Sequence, residues 1–91
     1  MTFMRSLQSV LLKRIRVISK EELRYAYQRV ALQAAAFVEV CILSSRESAA
    51  ESFLTTVRRR ILRNKTLRAE LKIAMNSSSV IPREFVEGVT I

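Results

Sequence analysis

Residues 23–43 read LRYAYQRVALQAAAFVEVCIL, and the spacing of their apolar side chains decides how the rest of the chain is read. Leu23, Tyr27, Val30, Ala31, Ala34, Phe37, Val38, Cys41 and Ile42 recur at intervals of three and four, the repeat of an α-helix that buries one side. Ala26, Leu32, Ala36 and Val40 lie outside that arc, so toward its C-terminal half the helix is apolar on nearly every side. One partner surface leaves part of it exposed, which predicts a helix buried in a bundle or an assembly. It does not read as a membrane span, because between Arg29 and Arg46 it carries Gln33 and Glu39 and falls short of the ~20 residues a bilayer core requires.

The flanking segments also read as helices. Upstream, residues 1–19 put Phe3, Leu7, Val10, Leu11, Arg14 and Ile18 on one helical face, with Arg5, Lys13 and Arg16 elsewhere around it. Basic, rich in Arg and Ser and free of acid, this segment reads as a mitochondrial targeting peptide, a membrane-surface helix or an ordinary first helix of the fold. Ser19 and Glu22 have the spacing of a capping box, which predicts a new helix from about residue 20. Ser44, Ser45 and Arg46 mark a break, and Ser48 with Glu51 forms a second such box. Ala50, Phe53, Leu54, Val57 and Ile61 then share one face of a third helix while Arg58, Arg59 and Arg63 point to the other. Asn64 and Thr66 are stop and restart signals before a short face of Leu67, Leu71, Ala74 and Met75. After Asn76 and three serines, Val80 through Pro82 to Ile91 reads as an extended tail. The expectation is an all-α, small three- or four-helix bundle: residues 1–19 a basic helix or targeting segment, 20–76 the bundle, 77–91 a C-terminal tail.

Composition agrees with one small helical domain. Of 91 residues 49% are apolar, with a single Gly and a single Pro, which argues against disorder and against a turn-rich β protein. The lone Cys41 sits in an apolar run and reads as a buried thiol. With no His and one Cys an ordinary zinc site is excluded, and one Gly excludes a glycine-rich phosphate loop. There is no His or Asp to act as a base, the serines fall at helix ends, and the adjacent Glu21 and Glu22 face different directions. The chain reads as a non-enzyme with no cofactor of its own.

The net charge of +8 is concentrated in two blocks. Arg5, Lys13, Arg14, Arg16 and Lys20 occupy the first twenty residues without an acid; Arg58, Arg59, Arg60, Arg63, Lys65, Arg68 and Lys72 follow later against Glu70 alone. In the second block, VRRRILRNKTLR at residues 57–68, Val57 and Ile61 are the core seam and the cations the outward face. So dense a charge repels itself and implies an anionic partner unless it is simply a solvated face. Nucleic acid is one such partner, although no aromatic side chain is interleaved to stack on bases. An acidic protein surface, gripped by Arg in bidentate fashion, is the other.

Residues 57–67 resemble the second-helix signature of the LYR-motif family, small basic three-helix proteins of mitochondria. Val57, Arg58, Asn64 and Leu67 match that signature, Ile61 stands where Phe is usual, and Phe53 occupies the place of the aromatic that often opens the helix. The first-helix tripeptide Leu-Tyr-Arg is represented by Ala26, Tyr27 and Gln28, with Arg29 one place late. The resemblance covers residues 22–76. It implies an accessory subunit or assembly factor of a respiratory-chain complex, in the mitochondrial matrix or on the matrix side of the inner membrane. It further implies docking of an acidic acyl carrier protein by Tyr27, Arg29, Arg58, Arg59, Arg63 and Lys65. The carrier's acyl-phosphopantetheine chain would enter a groove at Ala34, Ala35, Phe37 and Val38. Two other readings stay open, an RNA-contacting, ribosome-associated helical protein and a viral or other accessory protein binding host partners through its apolar helix.

Overall fold

Five α-helices and no strand make up residues 2–90, the part of the chain described by the structure, a computed structural model; side chains are described from Arg5 to Gly88. They are α1 (Thr2–Lys20), α2 (Tyr27–Leu43), α3 (Glu47–Arg60), α4 (Lys65–Asn76) and α5 (Arg83–Thr90), with a 3₁₀ turn over Arg24–Ala26 leading into α2. The all-α expectation holds. Within the segment expected to be an extended tail, Arg83–Thr90 instead forms the fifth helix, reached through a short non-helical connection after Asn76; Ile91 lies outside the described residues.

The helix α2 is central because it is apolar on more than one side. Its main neighbour is α4, and α1 and α3 also pack on it. Tyr27, Val30, Ala31, Ala34, Ala35, Phe37, Val38 and Cys41 are all buried. Phe37 meets Phe53 of α3 with ring centroids 4.6 Å apart and planes tilted by 53°, a favourable aromatic arrangement. The 20 residues from Arg24 to Leu43 contain an 18-residue window of mean hydropathy 1.3, long and apolar enough by length and composition to cross a bilayer. Of that apolar window, 44% is buried against the other helices, and the rest faces outward. Glu39, the acid in this run, accepts a 2.6 Å hydrogen bond from Ser78 Oγ, which itself accepts from the backbone N–H of Val80 and Ile81. One serine thus ties the α4–α5 connection to α2 and aims α5 back across α3 and α4. Ile81 and Val86 are buried as a result. The Cα radius of gyration, 11.9 Å, is that of a chain this length with no segment trailing off, about 12 Å.

Both expected capping boxes are absent, for one reason. Ser19 to Glu22 does not start a helix; it ends one. Leu23 N–H reaches back to Ile18 C=O at 3.0 Å, and Glu22 takes the left-handed conformation at φ 52°, the six-to-one closure of a Schellman cap. The same device ends α2, where Arg46 N–H bonds Cys41 C=O at 2.7 Å and Ser45 sits at φ 60°. Arg46 then acts as the N-cap of α3 with no side-chain bond, so Ser48 falls inside the helix rather than at its cap. Because Glu22 and Ser45 stand where Gly is usual, the C-terminal caps carried no residue-type signal.

The buried face of α1 is rotated from the expected one. Leu11, Ile15 and Ile18 enter the core, whereas Leu7, Val10 and Arg14 are exposed; the Phe3 side chain lies outside the described residues. With apolar residues at positions 7, 10, 11, 12, 15, 17 and 18, two overlapping arcs have the helical period, and packing on α2 and α3 selects between them. With its residues in the core, α1 is an integral helix of this bundle.

Candidate functional site

Asn64 begins α4 and also organises the site. Its Oδ1 accepts from Leu67 N–H at 3.0 Å, an N-cap bond that satisfies one of the helix's orphan donors. That bond fixes the amide's orientation, so Nδ2 must face the other way. There it donates to Tyr27 Oη at 2.9 Å and to Ser19 Oγ at 3.3 Å. One side chain thus links the end of α1, the start of α2 and the start of α4. Tyr27 is only 3% exposed, so its hydroxyl is a structural link rather than a contact surface.

Around this link lies a cleft of about 350 Å³ where four parts of the chain meet. Lys20 comes from the end of α1, Arg24 from the 3₁₀ turn, Arg60 from the end of α3, and Arg63 and Lys65 from the turn into α4. Glu22 is the single acid among its lining residues. Like charges held this close raise the energy of the folded chain, and an anion seated among them relieves it.

The cleft is the middle of a longer surface. Arg60 also lines a groove of about 570 Å³ with Arg5, Lys13 and Arg16 of α1. Lys65 also lines a shallow groove along α4 with Arg68 and Lys72. Through these two shared residues, ten of the sixteen cations form one belt in which, among the described residues, Glu22 is the only lining carboxylate. The two basic blocks of the sequence are therefore one surface, because α1 packs against α3.

Of the residues expected to bind a partner, the structure brings Tyr27, Arg63 and Lys65 together at the cleft. Arg29 is elsewhere, on a groove between α1 and the 3₁₀ turn. Arg59 is exposed but lines none of these clefts. Arg58 corrects the expectation of a shared outward face: it is half-buried beside α5 with Glu51, Glu84 and Phe85, and its Nε is buried without a hydrogen-bond partner. The unforeseen helix α5 covers that side of α3. Ala34, Ala35, Phe37 and Val38 are core residues, and none of these grooves is lined by them. The space for an acyl chain at those positions is filled by packed side chains, Phe53 against Phe37 among them. Sequence reasoning did not single out Lys20, Arg24 and Arg60 as site residues, and no local pattern marks them, since their convergence depends on helix packing.

Among the described residues no group of three or more His, Cys, Asp or Glu side chains is placed to hold a metal ion. Burial raises the Cys41 thiol above its ordinary value of 9.0, opposed by the charge of Arg46, so it is a neutral core group. Comparison with protein-family models, curated proteins and solved structures finds no match for this chain.

Proposed function

We propose that this chain is a non-enzymatic docking protein that holds an acidic protein partner on its cationic belt. The observation that carries the reading is the convergence of Lys20, Arg24, Arg60, Arg63 and Lys65 in one cleft, extended on both sides through Arg60 and Lys65. Guanidinium groups from separate elements, held by the Asn64 link, suit bidentate capture of carboxylates or phosphate. The resemblance to LYR-motif proteins gives the partner its name in this proposal: an acyl carrier protein of the mitochondrial matrix, with the chain serving as accessory subunit or assembly factor of a respiratory-chain complex. The 2.9 Å bond between Tyr27 and Asn64 supports it, since both stand at motif positions of that family. An acyl chain on the carrier's phosphopantetheine enters the core only if α2 and α3 part.

A second reading, binding to the phosphate backbone of RNA, is favoured by the length of the belt, although no exposed aromatic lines it. One titration separates the two. At physiological salt the full chain should bind an acidic acyl carrier protein and lose it in the Arg60→Glu, Arg63→Glu variant, whose two sites are exposed and leave the helices intact. Sub-micromolar binding of an RNA duplex, together with no complex with the carrier, would replace the first reading by the second.

A further inference from the structure

Beside the belt the molecule exposes a surface of different character. Between α1 and the 3₁₀ turn runs an open groove of about 550 Å³ with apolar walls, Val10 and Val17 on one side and Tyr25 on the other. Val10 is 62% exposed and Tyr25 86%. Lys13 and Arg14 stand on the α1 wall and Arg29 on the facing wall, and among the described residues no acid lines the groove. Arg29 also begins a stripe along α2: Leu32, Ala36, Val40 and Leu43 follow at spacings of three and four and are all exposed, Leu43 at 72%. The twelve residues from Leu32 to Leu43 make a track about 17 Å long.

We propose that this groove and track dock an acidic amphipathic helix of a partner protein. Apolar side chains at i, i+3 or i+4, and i+7 of that helix would pack on Val10, Val17 and Tyr25, and carboxylates on its flanks would meet Lys13, Arg14 and Arg29. Shape and charge select this occupant. A second copy of the chain would bring the same three cations against themselves. A flat bilayer meets a groove at its rim, whereas a helix about 10–12 Å across is a rod that fits between two walls. The site is independent of the central cleft: the two share no lining residue, and only Lys13 is common to the belt.

The test uses the full chain and two fluorescein-labelled peptides of about 16 residues, long enough to lie along the track. One is helical with Leu on a single face and Glu on both flanks; the other has the same composition with the Leu residues scattered. The first should bind at least about tenfold more tightly than the second. Val10→Ser with Val17→Ser should weaken it by about tenfold with unchanged circular dichroism, both sites being exposed. Tyr25→Ser should also weaken it, and serves should the double variant unfold. Equal affinity for the scattered peptide, or unchanged affinity in the Val10, Val17 and Tyr25 variants, overturns the proposal. So does a dimer in sedimentation velocity that Val10→Ser with Val17→Ser disperses, or binding to phosphatidylserine vesicles without binding to the peptide.

Discussion

Replacing Asn64 by Ala tests whether one side chain holds the cleft together. The variant loses the N-cap bond to Leu67 N–H, typically about 1 kcal/mol. It also leaves the Tyr27 hydroxyl, part-buried at the cleft, without its amide donor, a further cost of about 1–2 kcal/mol. The total of about 2–3 kcal/mol is a large share of the 5–15 kcal/mol that stabilises a typical domain and corresponds to a fall in Tm of roughly 10–20 °C for a chain this size. Asn64→Asp provides the contrast. An aspartate caps α4 as well as asparagine, its charge suits the helix N-terminus, and the Tyr27 hydroxyl can turn to donate to it. Stability should therefore stay near that of the parent chain while the new carboxylate, seated among Lys20, Arg24, Arg60, Arg63 and Lys65, weakens anion binding. Urea unfolding followed by circular dichroism measures the first effect, and a cycle with Tyr27→Phe isolates the Asn64–Tyr27 coupling, expected at about 1 kcal/mol. A cost below about 0.5 kcal/mol for Asn64→Ala, or additivity of the two single changes, would refute the reasoning.

Four further outcomes follow from the same geometry. Ser45→Gly should stabilise the chain by about 0.5–1 kcal/mol, because Ser45 at φ 60° carries a side chain where the cap of α2 favours none; a lower urea midpoint would count against the cap. Truncation after Ser79 removes α5 and with it the burial of Ile81 and Val86, at roughly 3–6 kcal/mol, so the shortened chain should melt far below the full one. Added salt should raise Tm by screening the belt, and Arg60→Glu with Arg63→Glu should shrink that response. Cys41 should resist iodoacetamide until the chain unfolds. Since burial raises its folded value, its contribution is complete below the unfolded value of 9.0 and declines as pH rises through it; Cys41→Ala should flatten that alkaline loss.

Where the residue types had a single local reading, sequence and structure coincide. Phe53, Leu54, Val57 and Ile61 are buried as their spacing requires, as are Leu67, Leu71, Ala74 and Met75. Cys41 is the buried thiol that its apolar surroundings imply, and Asn64 is the restart signal for α4. Where a pattern had two readings, local chemistry alone could not choose. The spacing of Ser19 and Glu22 suits a capping box, but the chain uses it for a left-handed C-terminal cap. The eight residues of α5 carry too short an apolar pattern to stand out, and their helix is held by Ile81 and Val86 packed under it.

Helicity, the apolar faces of α3 and α4, and the excess of cations were settled by the sequence alone, since each depends on residues within a few positions of one another. The tertiary structure decided which side of α1 is buried, that Arg58 lies beside α5 and away from the cleft, and that the two basic blocks join at Arg60 and Lys65. Electrostatic and apolar surfaces are made by side chains distant in sequence, so they exist only once α1, α3 and α4 have packed around α2.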